Sequence, residues 1–271
     1  MSVIVNPDIV LGSSPLIPPY PLNHARIGYK TILPLSEITA TSEAAGFPAS
    51  ALANPLTYDQ YRPDALDATV TIDRGQAVDV DYIGVGGHNL SDHGVVISFE
   101  YSTDGVTWSL LSSFSPANNT PLMLIFNTVT ARYFRFTTSA TGIYFIGAVY
   151  IGQALVMQRS IYGGHSPISL SRSTEFETTR SQTGQWLGRT VKRTGAGTSF
   201  EWSNLQASWY RAEFDPFVKA ARASPFFIAW NPSKFPAEVG FCWSNADIIP
   251  QNMGVRDFMS VSIEVEGLTD D

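Results

Sequence analysis

The sequence predicts a mainly β protein with a single helix, and three observations predict it. Short segments alternate apolar and polar residues with a period of two, as strands with one buried face do. In Val96–Tyr101, for example, Ile97, Phe99 and Tyr101 share one face, and Val96, Ser98 and Glu100 the other. Clusters of turn-forming residues separate these segments at short intervals, the pattern of an antiparallel sandwich. A helical period is convincing only once, where Phe214, Phe217, Val218 and Ala221 fall at i, i+3, i+4 and i+7.

Residues 1–36 form an N-terminal arm. Its stretch Leu16-Ile17-Pro18-Pro19-Tyr20-Pro21-Leu22 has too many prolines for a helix or a central strand. It is also too apolar for a free tail, so a packed extended arm is expected. The arm either stands alone or packs with the C-terminal part, which would make the segment between them an insertion.

Residues 37–152 read as a β-domain. Ala68–Asp73 and Val78–Val85 are strands separated by a turn at Arg74-Gly75-Gln76. Asp104-Gly105 then reverses the chain, because glycine accepts the positive φ of a tight turn. Ser102 is expected to bond the turn backbone, and Trp108 to begin the return strand and pack in the core. Met123–Phe126, Ala131–Thr137 and Ile143–Ile151 complete the set.

Residues 153–271 read as a second β-domain carrying the helix. Ser173–Thr179 has the pattern of an exposed strand, and Gly184–Arg193 and Thr198–Trp202 are strand-like. Asp215-Pro216 has the order of an N-cap and first helical residue, so the helix between Leu205 and Ser224 either begins there or is kinked there. Ser224-Pro225 stops it. Phe226–Trp230, Val239–Trp243 and Phe258–Val265 are the closing strands.

Composition narrows the function. The 271 residues are long enough to bury a sizeable core. Charged residues make up only 15% and the net charge is −7, with no run of Lys or Arg. Nucleic-acid binding needs basic patches that displace counterions, so no sequence-specific nucleic-acid partner is expected. The one cysteine, Cys242, excludes an internal disulfide and sits in an apolar context that fits a buried hydrophobe. The N-terminus lacks a basic segment followed by an apolar run, so synthesis and folding in the cytoplasm are expected. No stretch approaches the roughly 18 continuous apolar residues of a membrane span.

Catalytic signatures are missing: the chain has no G-x-S-x-G, H-E-x-x-H or P-loop motif. Gly84-Val85-Gly86-Gly87 is followed by no readable helix and is not a nucleotide loop. His24 and His165, in Pro- or Gly-containing loops, read as structural. The expectation is a protein that is not an enzyme and carries no cofactor. His88-Asn89-Leu90-Ser91-Asp92-His93 contains two histidines and an aspartate, but a structural zinc site needs four ligands and nothing nearby completes one, so no metal is expected. As a polar loop at one end of a sandwich, the residues His88, Asn89, Asp92 and His93, with Tyr58, Tyr61 and Arg62, are the candidate ligand-binding set. Arg132 and Arg135 lie on opposite faces of one strand, so one is expected to extend its stem over the core with a carboxylate partner and the other to face solvent or a neighbour.

Two resemblances add to this reading. Tyr101-Ser102-x-Asp104-Gly105-x-x-Trp108, followed by Ala131-Arg132-Tyr133-Phe134-Arg135-Phe136, resembles the discoidin family, also described as galactose-binding-like or coagulation-factor C-type domains. The upstream Ile72-Asp73-x-Gly75 fits the same family. The resemblance implies a jelly-roll sandwich for residues 37–152, whose loops at one end bind sugars, lipids or proteins. The C-terminal part is similar to the hub domain of phage distal tail proteins. That similarity rests on the helix at Phe214–Ala223, the following Ser224-Pro225-Phe226-Phe227-Ile228-Ala229-Trp230-Asn231-Pro232, and the final strand into Glu264-Val265-Glu266-Gly267-Leu268. It implies a second β-sandwich with one helix, and a virion protein whose copies close a hexameric ring between tail tube and tip.

The first functional expectation is therefore a structural phage-tail component located in the virion tail. Its partners would be further copies of itself, the tail tube protein, and the tail hub and tape-measure proteins, and the acidic balance suits a lumen through which DNA passes. Candidate assembly residues are Leu16, Tyr20 and Leu22 in the arm, Trp186 and Arg189 in the Ser181–Arg193 segment, and Phe214, Phe217 and Trp230. The alternative expectation is a tail-tip or surface protein that recognises a host saccharide through the discoidin-like domain.

Overall fold

The computed structural model describes residues 2–12, 18–161, 163–254 and 256–268. In chain order the strands are β1 (Val3–Val5), β2 (Arg26–Gly28), β3 (Glu37–Ala40), β4 (Asp67–His88), β5 (Val96–Ser102), β6 (Ser109–Phe114), β7 (Leu122–Ser139) and β8 (Ile146–Gly152). They continue as β9 (Leu155–Val156), β10 (Arg172–Arg180), β11 (Trp186–Gln206), β12 (Phe226–Ala229), β13 (Val239–Ser244), β14 (Gln251–Asn252) and β15 (Phe258–Gly267). Among the described residues no helix is long and apolar enough to cross a membrane.

The first sheet runs β3-β4-β7-β5-β6, with β8 on β4 and β1 parallel to β7. Two long strands build it. Residues 67–73 of β4 pair with 133–139 of β7, and residues 78–85 pair with 122–131. Between those runs the register shifts, and Gly75 takes a φ of 77°. The expected turn at Arg74-Gly75-Gln76 is thus a bulge that bends one continuous strand, so β4 and β7 serve both faces of the sandwich. The expected pair of strands Met123–Phe126 and Ala131–Thr137 is likewise the single strand β7. Its core contains Val70, Ile72, Ile97, Phe99, Phe134 and Phe136, the inward residues of alternating strands.

The second sheet runs β10-β11-β15-β13-β12-β2-β9, with β14 on β15. The arm is divided between the two sheets: β1 joins the first, and β2 hydrogen-bonds β12 and β9 in the second. Residues 37–152 therefore lie, in sequence, between two strands of the second sheet.

The helical run covers 207–221. It is α-helical at Ala207–Trp209 and Asp215–Ala221, with a π turn at Tyr210–Phe214. Pro216 has no N–H to give and its ring crowds the preceding turn, so the ladder widens just before it. Of the two expected arrangements, the interrupted helix is the one observed. Phe214 and Phe217 point into the second core, with Phe200, Trp202, Phe226 and Ile263.

A third apolar cluster joins the sheets. Tyr82, Met123, Ala148 and Tyr150 of the first pack on Phe227, Ala229, Val239 and Phe241 of the second. A Cβ added at Gly84 would lie 2.6 Å from the Phe227 ring, so the glycine is what lets the sheets approach.

Candidate functional site

One end of the first sandwich collects the loops that follow β4, precede β7 and precede β8. His88 pairs with Ile146, and Ile146 forms an isolated bridge with Tyr61. The loop after β4 is fastened to its neighbours side chain by side chain. Asn89 Oδ1 accepts from the Phe145 N–H at 2.7 Å. Asn119 donates to Asp92 Oδ1 at 2.9 Å and accepts from the Ser91 N–H at 3.0 Å. The His93 carbonyl accepts from the Thr141 N–H and hydroxyl, at 3.0 and 2.8 Å. A short helical turn at Ser91–His93, closed by Gly94 at a φ of 54°, sets the shape of this loop.

The segment carrying Tyr58 and Arg62 lies alongside. The Arg62 carbonyl accepts from the Ala44 N–H at 2.8 Å, and its guanidinium sits 5.7 Å from the centre of the Phe47 ring. Thr57 lies so near Gly87 and Gly147 that a Cβ added at either would come within 3.1 and 3.2 Å of it, which sets this loop against the ends of β4 and β8. Tyr58 is 79% exposed.

The structure brings the seven candidate ligand residues to the same end, but it withdraws two of them from the surface. Tyr61 is fully buried, and its hydroxyl donates to the Ser42 carbonyl at 2.8 Å. His88 is buried as well. Its Nε2 donates to the Thr120 carbonyl at 3.1 Å and its Nδ1 accepts from the Leu90 N–H at 3.4 Å, which assigns the neutral tautomer with the proton on Nε2. Burial is the main cause pushing its pKa down to about 4, against the Thr120 carbonyl and Asp92. Both are framework residues. Tyr58, Arg62 and Asp92 are exposed, and Asn89 and His93 partly so. Asn119 belongs with them. Its meeting with Asp92 depends on the pairing of the long strands β4 and β7, which brings residues 27 apart in sequence together. Among the described residues no group of three or more His, Cys, Asp and Glu side chains is placed to hold a metal.

The opposite end holds the Asp104-Gly105 turn, and there the side chains are committed to structure. Asp104 Oδ1 accepts from the Val106 and Thr107 N–H groups, both at 2.8 Å, and from Ser102 Oγ. Those backbone donors hold its pKa down at about 2. Trp108 is only half-buried and precedes β6 rather than entering the core. Its ring lies 4.1 Å from the Arg135 guanidinium, which also donates to Glu100 at 2.6 Å. Arg132 makes a two-pronged pair with Asp73, both bonds at 2.7 Å.

Three of the eight expected assembly residues, Tyr20, Phe214 and Phe217, are inside the molecule. Phe214 and Phe217 are fully buried, and Tyr20 is buried against the His24 ring at 5.3 Å. Trp230 stacks on Phe235 and donates from Nε1 to Glu238 at 2.5 Å. Leu22 is half-buried, and its carbonyl accepts from the Ser233 N–H. The apolar surface of Tyr20, Phe214 and Phe217 is used within the chain, whereas Leu22 and Trp230 keep part of theirs open; Leu16 lies outside the described residues. Trp186 and Arg189 are exposed on the β10–β11 hairpin, with Arg189 lying 4.3 Å over the Phe176 ring.

Comparison with known proteins places part of this chain. Residues 37–148 match the F5/8 type C domain family, so the chain carries a discoidin-like domain on its first sheet. A search of curated proteins finds no match. Among solved structures, a family-32 carbohydrate-binding module of Clostridium perfringens, in complex with GalNAc-β-1,3-galactose, aligns at 13% identity and a TM-score of 0.41, covering 45% of this chain and 98% of that one. A chitosan-binding module from Paenibacillus sp. IK-5 aligns at 16% identity and a TM-score of 0.40, covering 45% and 97%. A Ruminococcus gnavus fucosidase in complex with fucose aligns at 13% identity and a TM-score of 0.41, and there this chain covers 27% of the enzyme's length and 46% of its own.

Proposed function

We propose that the chain is a saccharide-binding protein, with binding rather than catalysis as its role, and that the loop end of the discoidin-like sandwich is its recognition surface. One observation carries this: Tyr58 is left 79% exposed at the end of the sandwich where Asn119 fixes Asp92 and Phe47 packs under Arg62. A sugar ring offers an apolar face of C–H bonds and a rim of hydroxyls. An exposed aromatic ring covers the first, and Arg62, Asp92, His93 and Asn119 supply donors and acceptors for the second. The fixed loops keep the ordering cost on binding low. The test is retention of the full chain on immobilised bacterial polysaccharides. Binding that falls at least tenfold in Tyr58→Ala, with unchanged melting temperature, supports the reading; retention equal in the variant and the parent overturns it.

A second reading, favoured by the exposed β10–β11 hairpin, is structural: a subunit of a phage distal-tail ring, located in the virion, with the hub, tube and tape-measure proteins as neighbours. Trp186 and Leu187 near the hairpin tip are 66% and 62% exposed, a large apolar area for a surface hairpin. Light scattering separates the readings. A stable ring supports the structural one, and a monomer that retains saccharide removes it.

A further inference from the structure

Where the arm, both sheets and the helical run meet, there is a cavity of about 490 Å³. Its volume falls in the range of small-ligand sites. Four aromatic residues, Tyr20, Tyr29, Phe126 and Trp209, line it, and so do Arg26, Asp81 and Gln153.

Its charges are arranged unusually. Arg26 is only 5% exposed; Nη2 donates to the Tyr20 carbonyl at 2.8 Å, and Nη1 has no partner among the described residues. Asp81 uses Oδ1 to accept from the Ala154 N–H at 2.7 Å. The two groups feel each other's charge, yet they form no ion pair within 4.0 Å. Burial pushes the Arg26 pKa down to about 10 and the Asp81 pKa up to about 6, so neither charge is well compensated. Lys30 and Glu213 also line the cavity, which gives two cations and two carboxylates in all.

We infer that this junction cavity is a second ligand site, taking a neutral polyhydroxylated molecule of monosaccharide size. A balanced lining selects against net charge in either direction. A hydroxyl both donates and accepts, so a molecule carrying several can donate to a carboxylate on one side and accept from a guanidinium on the other. The aromatic walls match the C–H face of a sugar ring. The site is separate from the Tyr58 loop end and does not depend on it.

The test is saturation-transfer NMR on the full chain with galactose, glucose, fucose and N-acetylglucosamine, and with galacturonate and glucosamine as charged probes. Two variants report on the cavity. Asp81→Asn keeps the acceptor for Ala154, and Gln153→Trp adds bulk at an exposed position and leaves the core untouched. Transfer to a neutral sugar that drops at least tenfold in both variants and persists in Tyr58→Ala supports the site. Silence from every neutral sugar, a preference for the charged probes, or transfer unchanged in Gln153→Trp overturns it. Transfer lost only in Tyr58→Ala overturns the cavity and leaves the loop-end reading standing.

Discussion

Two hairpins in this chain face different surroundings. In β5–β6, Ile97, Phe99 and Leu111 are buried, and a hydrogen-bonded network around Asp104 fixes the turn between the strands. In β10–β11 the paired residues 172–180 and 186–194 have almost no buried side chain, and Phe176, Trp186, Leu187 and Val191 stand in solvent. Alternation alone says only that a strand has two faces. Whether one is covered depends on what the topology brings to it, and a two-stranded ribbon without cover is marginally stable.

That difference can be broken at several points, beginning with the largest effect. Phe136→Ala removes a ring packed against Phe99, at 5.9 Å between ring centres, and is expected to cost about 4 kcal/mol in urea unfolding. A loss below about 1 kcal/mol would show that the first core tolerates truncation as the hairpin does.

His88 makes the first sandwich sensitive to acid. Above the ordinary histidine pKa of 6.5 both folded and unfolded states are neutral. As pH falls below that, the unfolded state takes up a proton that the folded state refuses until about pH 4, so stability declines across this window. Asp81, raised to about 6, works in the opposite direction: the folded state gains stability as that carboxylate protonates below pH 6. The wild-type profile sums the two. The stability advantage of wild type over His88→Gln should therefore shrink by about 3 kcal/mol between pH 7 and pH 4. Parallel unfolding curves at the two pH values would place the histidine in water.

Gly84→Ala tests the seam between the sheets. With Phe227 buried and only 2.6 Å from the added methyl, about 2 kcal/mol of destabilisation is expected, whereas Gly195→Ala, with nothing closer than 3.7 Å, should be far milder. Equal effects would mean the seam is loosely packed. The smallest effect belongs to the exposed ribbon. Phe176→Ser should change stability by less than about 1 kcal/mol while increasing protease cleavage near Ser181–Gln185. A larger loss would mean that the ribbon carries part of the global fold.

Much of the first sheet was legible because its residues alternate cleanly and its turn chemistry is local: Ser102, Asp104 and Gly105 lie within a few residues of each other. The bend in β4 was not, since Gly75 looks alike in a turn and in a bulge, and only pairing across to β7 distinguishes them. The loop-end residues were found from polarity and position. Polarity could not separate Arg62, which faces water, from His88, which is held by the carbonyl of Thr120, a residue distant in sequence. The assembly residues show the same limit from the apolar side: Phe214 and Phe217 were correctly placed on one helical face, but that face is covered by the chain's own second sheet. The split of the arm between two sheets had no local signal, because three-residue strands such as Arg26–Gly28 are too short for a periodic pattern.

The most direct test of the loop-end reading is to map amide shift changes as a saccharide retained by the full chain is titrated in. The account predicts changes concentrated at Tyr58, Arg62, Asp92, His93 and Asn119, with the Ser102–Thr107 turn unmoved. Changes centred on that turn or on the β10–β11 ribbon, with the loop end silent, would contradict it.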